Sequence, residues 1–251
     1  MRYYADLLKL RCFTCVDVAA LTGSMAAAES LLTDYRRRGY IDRVRNGLWV
    51  VLGLDDHQPV ASRFRIATAV NSDACVSHHS AFEYHGYANQ VSYEICVTSA
   101  TKFRFFDYGG TEYRWFAPRI ALGVDRQSDG TSVTDLERTV LDSINDMEKT
   151  GGLEEVLTSL EALPYLDSDK LTDYLALYNK QVLYQKTGYM LSLFNQTLRL
   201  PDSFYAMCKA HISKSVRYLD RDLPPQDRVY DRQWQLFVYR TPAIPLTQGV
   251  I

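Results

Sequence analysis

RRRGYIDRVRNGLWVV, residues 36–51, places five arginines within its first ten positions and then turns apolar. Asn46-Gly47 separates two strand-like runs, YIDRVR and LWVVL. Asn-Gly is the strongest short hairpin signal, because both central residues of a type I′ turn need φ > 0. Upstream, Ala28, Leu31, Leu32 and Tyr35 recur at i, i+3, i+4 and i+7, the stripe of one buried helix face. Ser24 is placed to cap that helix and Gly39 to stop it. Before it, FTCVDVAALTG carries Val16, Ala19 and Ala20 on one side and closes on Gly23, the residue type that ends helices in a left-handed conformation. With a short first helix in RYYADLLKL, the spacing predicts helix, tight turn, helix and hairpin. That order is a winged helix-turn-helix over residues 1–54.

Charge supports an anion-binding role for this segment alone. Residues 1–52 hold eight basic against five acidic groups, a net of +3, while the whole chain is formally −2, so the remainder carries −5. A basic first fifth on an acidic body points to a local contact with a polyanion rather than a general one. Across 251 residues, 47% apolar and 23% charged residues exclude disorder as the main state. No stretch approaches the roughly 20 apolar residues that span a bilayer, and MRYYADLLKLR lacks the apolar run of a secretory signal. Five cysteines, an odd number in a long chain, favour a reducing compartment over a disulfide framework. The expectation is a cytoplasmic protein without membrane attachment.

The rest of the chain divides by pattern. GLDDHQPV (residues 53–60) reads as a linker, and a helix is expected over VASRFRIATAV with Pro59 at its start. SHHSAFEYHG reads as a helix capped by Ser77, SYEICVTS as a strand, and FRFFDY-GG-TEYRWF as a second hairpin. In SVTDLERTVLDSI, Thr134 and Glu137 have capping-box spacing and Leu136, Val140 and Ile144 form a stripe. Beyond Gly151 the periodicity is helical, with Leu171, Leu175, Tyr178 and Val182 on one face and Phe204, Cys208, Ile212 and Val216 on another. QWQLFVYRT reads as a closing strand. The fold class expected is α+β, with an α/β middle region (59–150) and a mainly helical C-terminal region (151–251).

In a helix-turn-helix the second helix lies in the major groove and its N-terminal half meets base edges. Ser24, Ala27 and Ser30 occupy those positions, and Arg37, Arg43 and Arg45, with Asn46, are expected to lie along phosphates. The small residues of that face leave a second reading open, a winged-helix module for protein–protein contact. Other motifs point to little chemistry. Cys12-x-x-Cys15 has no second ligand pair, which favours buried helix cysteines over metal or redox work. His78, His79 and His85 lack HExxH spacing or a fourth ligand. GxxxxGK[ST], GxSxG and GxGxxG are absent, as are the paired carboxylates of Mg²⁺-dependent phosphoryl transfer. No catalytic residue, metal or cofactor is expected.

The order of VAALTGS…LLTDYRRRGYIDRVRNGLWVV, SHHSAFEYHG, VTDLERTVLDSI…GGLEEVLTSL and YQKTGYMLSLF resembles the AbiEi-type antitoxin family of type IV toxin–antitoxin (abortive infection) systems, over nearly the whole chain. The resemblance implies a DNA-binding transcriptional autorepressor that recognises inverted repeats at its own promoter through the winged helix. It implies a C-terminal part that counters a nucleotidyltransferase-like toxin, without need of a stable complex. Relatives without a toxin partner leave a solitary transcriptional regulator as an alternative. Carried over by position, the DNA contacts fall on the 24–37 helix, Arg43, Arg45 and Asn46. Lys186 stands where the family pattern has an arginine.

Overall fold

The computed structural model describes residues 2–213 and 215–240. The expected C-terminal region therefore continues, over residues 241–251, outside the described residues. The chain is a mixture of helices and sheets in two compact units, Met1–Val76 with Ser92–Pro118 and Arg126–Val133, and Ser77–Val91 with Arg119–Asp125 and Thr134–Ile251. These units cut across the division at 54/59 and 150/151 expected from the sequence. The patterns used for that division are local, whereas the units are built from segments far apart in the chain.

The first unit opens with α1 (Tyr4–Leu10), β1 (Cys12–Phe13), α2 (Cys15–Thr22), α3 (Met25–Arg37), β2 (Ile41–Arg45) and β3 (Leu48–Val51). Thr14 caps α2 in a full capping box with Asp17, and Gly23 ends it at φ +87°. Ser24 then caps α3, its hydroxyl accepting from the Ala27 N–H at 3.2 Å. The chain turns through 110° between α2 and α3. Leu7, Phe13, Val18, Ala28, Leu32, Tyr35, Ile41 and Val51 make a core contained within this segment. The leucine, isoleucine, valine and phenylalanine side chains each contribute about 1.5–3 kcal/mol when fully withdrawn from water. The three strands pair antiparallel in the order β1-β3-β2.

Three local expectations need correction here. Asn46 does not take a positive φ; only Gly47 does, at +81°, and the ladder shifts register between Arg43 and Arg45. The loop is thus not type I′, and the irregularity in β2 absorbs the difference in twist. Cys12 lies on a strand rather than a helix, so the two cysteines of the motif belong to different elements. The helix after Pro59 is α4 (Arg63–Thr68), capped by Ser62; Pro59 itself bridges to Leu52.

After α4 come β4 (Cys75–Val76), α5 (His78–His85), β5 (Glu94–Thr98), β6 (Phe106–Tyr108), β7 (Thr111–Phe116), β8 (Val124–Arg126) and β9 (Ser132–Thr134). They supply a mixed six-stranded sheet in the order β6-β7-β5-β4-β9-β8. Its Gly109-Gly110 loop has φ +61° and +75°, the pair of left-handed residues a two-residue hairpin favours.

The second unit contains α5, α6 (Leu136–Asn145), α7 (Gly152–Glu161), α8 (Ser168–Tyr178), α9 (Gln181–Leu193), α10 (Asn195–Leu198) and α11 (Asp202–Ala210). Then follow β10 (Arg217–Tyr218), β11 (Arg228–Asp231) and β12 (Leu236–Tyr239). The cap of α6 is Asp135, not Thr134: its carboxylate accepts from the Arg138 N–H at 2.9 Å, while Thr134 bonds Thr139. Glu137 reaches forward instead, accepting from the Asp167 N–H at 2.8 Å. Asn179 in the left-handed region (φ 48°) ends α8, so Val182 belongs to the next helix; α11 likewise stops before Ile212. The expected closing strand is present, but it is the middle member of a sheet β10-β12-β11 that periodicity over short strands did not reveal.

Arg138 and Asp142 are buried together in this unit as an ion pair. Arg138 is 1% exposed; its Nε donates to Asp142 at 2.9 Å and one terminal nitrogen donates to the Leu122 carbonyl at 2.5 Å. The Tyr178 hydroxyl donates to the other oxygen of Asp142. Burial and the Asp142 charge push the Tyr178 phenol well above its ordinary range.

Candidate nucleic-acid interface

Helix α3 buries Ala28, Leu32 and Tyr35, which turns the intervening positions outward. Ser24, Ala27, Ser30 and Arg37 are all exposed, as are Arg43 and Asn46 on the hairpin. The Asn46 side-chain oxygen accepts from an Arg43 terminal nitrogen at 2.6 Å, and the Arg43 guanidinium lies 5.8 Å from the centre of the Trp49 ring. Trp49 therefore holds Arg43 in a defined orientation on the surface.

Arg45 departs from the expectation. It is half-buried, its guanidinium lies 5.1 Å from the Phe106 ring and 5.5 Å from Phe103, and one terminal nitrogen is buried without a hydrogen-bond partner. Stacked on two rings, it is withdrawn from the surface that carries Arg43 and Asn46. The same neighbourhood holds Tyr108, whose phenol burial, together with the charge and hydrogen bond of Asp42, raises well above the usual range. No signal near residue 45 announces this, because both phenylalanines lie on a segment distant in sequence.

The arginine run is also partly neutralised. Asp34 takes Arg37 at 2.8 Å and Arg38 at 2.9 Å, and Arg36 lies 4.0 Å from Asp42. Its arginine partners hold the Asp34 carboxyl below the ordinary range, Arg37 contributing most. Counted locally, Arg43 is the cation of this face held by an amide and a ring rather than by a carboxylate.

The histidines take separate partners. His79 Nε2 lies 2.8 Å from Glu155, His85 Nε2 is 2.8 Å from the Thr134 carbonyl, and His78 Nδ1 is 2.8 Å from the Ser77 hydroxyl. Among the described residues no group of three or more His, Cys, Asp or Glu is placed to hold a metal ion. Cys12 and Cys15 are both free thiols, and burial pushes Cys12 up to about 12. No single helix among the described residues is long and apolar enough to cross a membrane.

No family model and no curated protein matches the chain. Among solved structures, the crystal structure of the RV2827C protein from Mycobacterium tuberculosis is similar over 94% of this chain and 89% of that one, with a TM-score of 0.64 and 15% identity. At that identity the similarity shows a shared fold and nothing more.

Proposed function

We propose that residues 4–51 form a winged helix-turn-helix that binds duplex DNA, and that the protein is a cytoplasmic antitoxin and transcriptional autorepressor of a type IV toxin–antitoxin system. The observation that carries the DNA reading is the exposure of Ser24, Ala27, Ser30 and Arg37 along α3 and its cap, with Arg43 and Asn46 exposed on the hairpin that follows. The 110° turn between α2 and α3 agrees with the roughly 90–120° of helix-turn-helix pairs. In this reading Ser24, Ala27 and Ser30 face base edges, Arg37 and Arg43 face phosphates, and binding rather than catalysis is the activity. Arg45 acts beneath the hairpin by anchoring it, not on the nucleic acid. The antitoxin role and the nucleotidyltransferase-like toxin rest on the sequence resemblance.

Neutralisation of Arg36, Arg37 and Arg38 by Asp34 and Asp42 favours a second reading, in which the same face docks a protein. Salt dependence separates the two. Retention of duplex DNA from the chain's own upstream region should fall steeply with salt. Arg43→Ala should reduce the log–log slope by about one. Arg45→Ala should leave the slope unchanged and lower stability by roughly 0.5–2 kcal/mol. A flat salt response, or no retention of that duplex at low salt, overturns the DNA reading in favour of the protein partner.

A further inference from the structure

The second unit contains a cavity of about 600 Å³, continuous in its lining with a neighbour of about 540 Å³ through Asn145, Glu148, Lys180, Lys186 and Arg221. Volumes of this size are typical of small-molecule sites. Two half-buried lysines project from α9 and its cap, Lys186 and Lys180. Lys180 Nζ donates to the Asn145 side-chain oxygen at 2.8 Å, a neutral partner. Among the described residues Lys186 makes no hydrogen bond and has no carboxylate within 4.0 Å. Neither ammonium is bonded to a carboxylate; Asp220 and Glu148 act on Lys186, and Asp146 on Lys180, only through their charge across the cavity.

Six lysine and arginine side chains and four carboxylates line the two cavities, so cations are in excess. Asp146 is shared by Lys149 at 3.0 Å and Arg119 at 3.7 Å, and Glu148 lies 3.6 Å from Arg221. Asp220 accepts from the Asp222 N–H and from the Tyr239 hydroxyl. Burial pushes both lysines below their ordinary range; Arg119 and Lys149 add to this at Lys180, while Asp146 opposes it there and Asp220 and Glu148 oppose it at Lys186. Holding two such ammonium groups partly out of water with no carboxylate bonded to either is costly, and a bound anion offsets that cost. The cavity lining also includes Gly151, Gly152 and Leu153 at the start of α7, and neither that end nor the start of α9 is capped by a side chain. Both helix ends favour negative charge.

We propose that this cavity binds a small oligophosphate, inorganic or carried by a nucleoside, whose terminal phosphates sit between Lys186 and Lys180. A compact anion fits the charge pattern better than a nucleic-acid strand. An extended strand would meet the exposed carboxylates Glu148 and Asp222 at the cavity, whereas a terminal oligophosphate is short enough to reach the half-buried lysines. The site is separate from the DNA face and does not depend on it.

The test is calorimetric titration of the full chain with sodium triphosphate and with ATP at fixed ionic strength, repeated for Lys186→Met and Lys180→Met. Wild type should bind triphosphate with a Kd of roughly 0.1 mM or tighter. Each variant should weaken binding at least about tenfold while keeping or raising the melting temperature, since methionine fills the space without a desolvated charge. Tighter binding of ATP than of triphosphate would identify the nucleoside-borne form; equal binding would identify the phosphate chain alone. Absence of heat at millimolar triphosphate, or equal affinity in wild type and both variants, overturns the assignment. So does displacement of triphosphate by an unphosphorylated single-stranded oligonucleotide. Retention of duplex DNA by the Lys186→Met protein is expected to be unchanged, which keeps this result apart from that of the DNA reading.

Discussion

Asp146 shows how much a single carboxylate organises. Burial alone would raise its pKa, but His78, Lys149 and Asn145 outweigh burial and hold it below the carboxylate range. A group whose pKa is depressed by folding contributes stability that is complete above its unfolded value, near 4, and is lost as pH falls through the folded value. The stability difference between wild type and Asp146→Asn, measured by urea unfolding, should therefore be constant from neutrality down to about pH 4 and shrink below it. A difference that persists unchanged in strong acid would show that the side chain acts through packing instead. Arg45 makes a contrasting point about reading single residues. Its position in the sequence is indistinguishable from that of Arg43, two places away in the same strand. What separates them is Phe103 and Phe106, contacts that close only after a long loop and leave no mark on the local pattern.

At the level of elements, the signals that held are those whose physics is local. Ser24 and Gly23 mark the junction of α2 and α3, because a cap needs a hydroxyl within one turn and a left-handed terminus needs a missing Cβ. The Thr134–Glu137 spacing misled because the helix starts one residue later: Asp135 takes the cap and accepts from the Arg138 N–H. The sheet β10-β12-β11 escaped because its strands are two to four residues long, too short for alternation to register. Helix α9 offers a test of packing between elements. A Cβ on Gly188 would overlap the ring of Trp234, which is 2% exposed and whose carbonyl accepts from Gln185 at 3.1 Å. In an exposed helix, glycine to alanine gains up to about 1 kcal/mol. Here the inserted methyl must displace an anchored indole, and overpacking of that kind costs about 1–3 kcal/mol. Gly188→Ala should lower the denaturation midpoint; a higher midpoint would mean that the indole shifts freely.

For the molecule as a whole, the order of the chain and the order of folding units differ. The chain crosses between the two units five times before residue 135. The main core of the second unit draws Phe82, Ile120, Val140 and Ile144 together with residues from Leu153 onward. A fragment of residues 151–251, the expected C-terminal region, lacks those four and should show no cooperative thermal transition by circular dichroism. A sharp transition in that fragment would show that the earlier segments are dispensable. The candidate DNA face is the opposite case, since the core beneath it is complete within residues 7–51. That is why the N-terminal segment is the part most legible from the sequence. The cavity around Lys180 and Lys186 was the least legible, because residues from 119 to 222 must converge before it exists.

Among the buried described residues, Trp234, Leu236 and Val238 are the last to enter the second core in the order of synthesis. On the ribosome, the first unit has all its segments once residue 133 has emerged, and it can mature while translation continues. Its neighbour must wait with the slot beside Gly188 open until the indole arrives. Termination before codon 234 would thus leave a folded amino-terminal unit attached to an unsealed one, a ready substrate for cellular proteases.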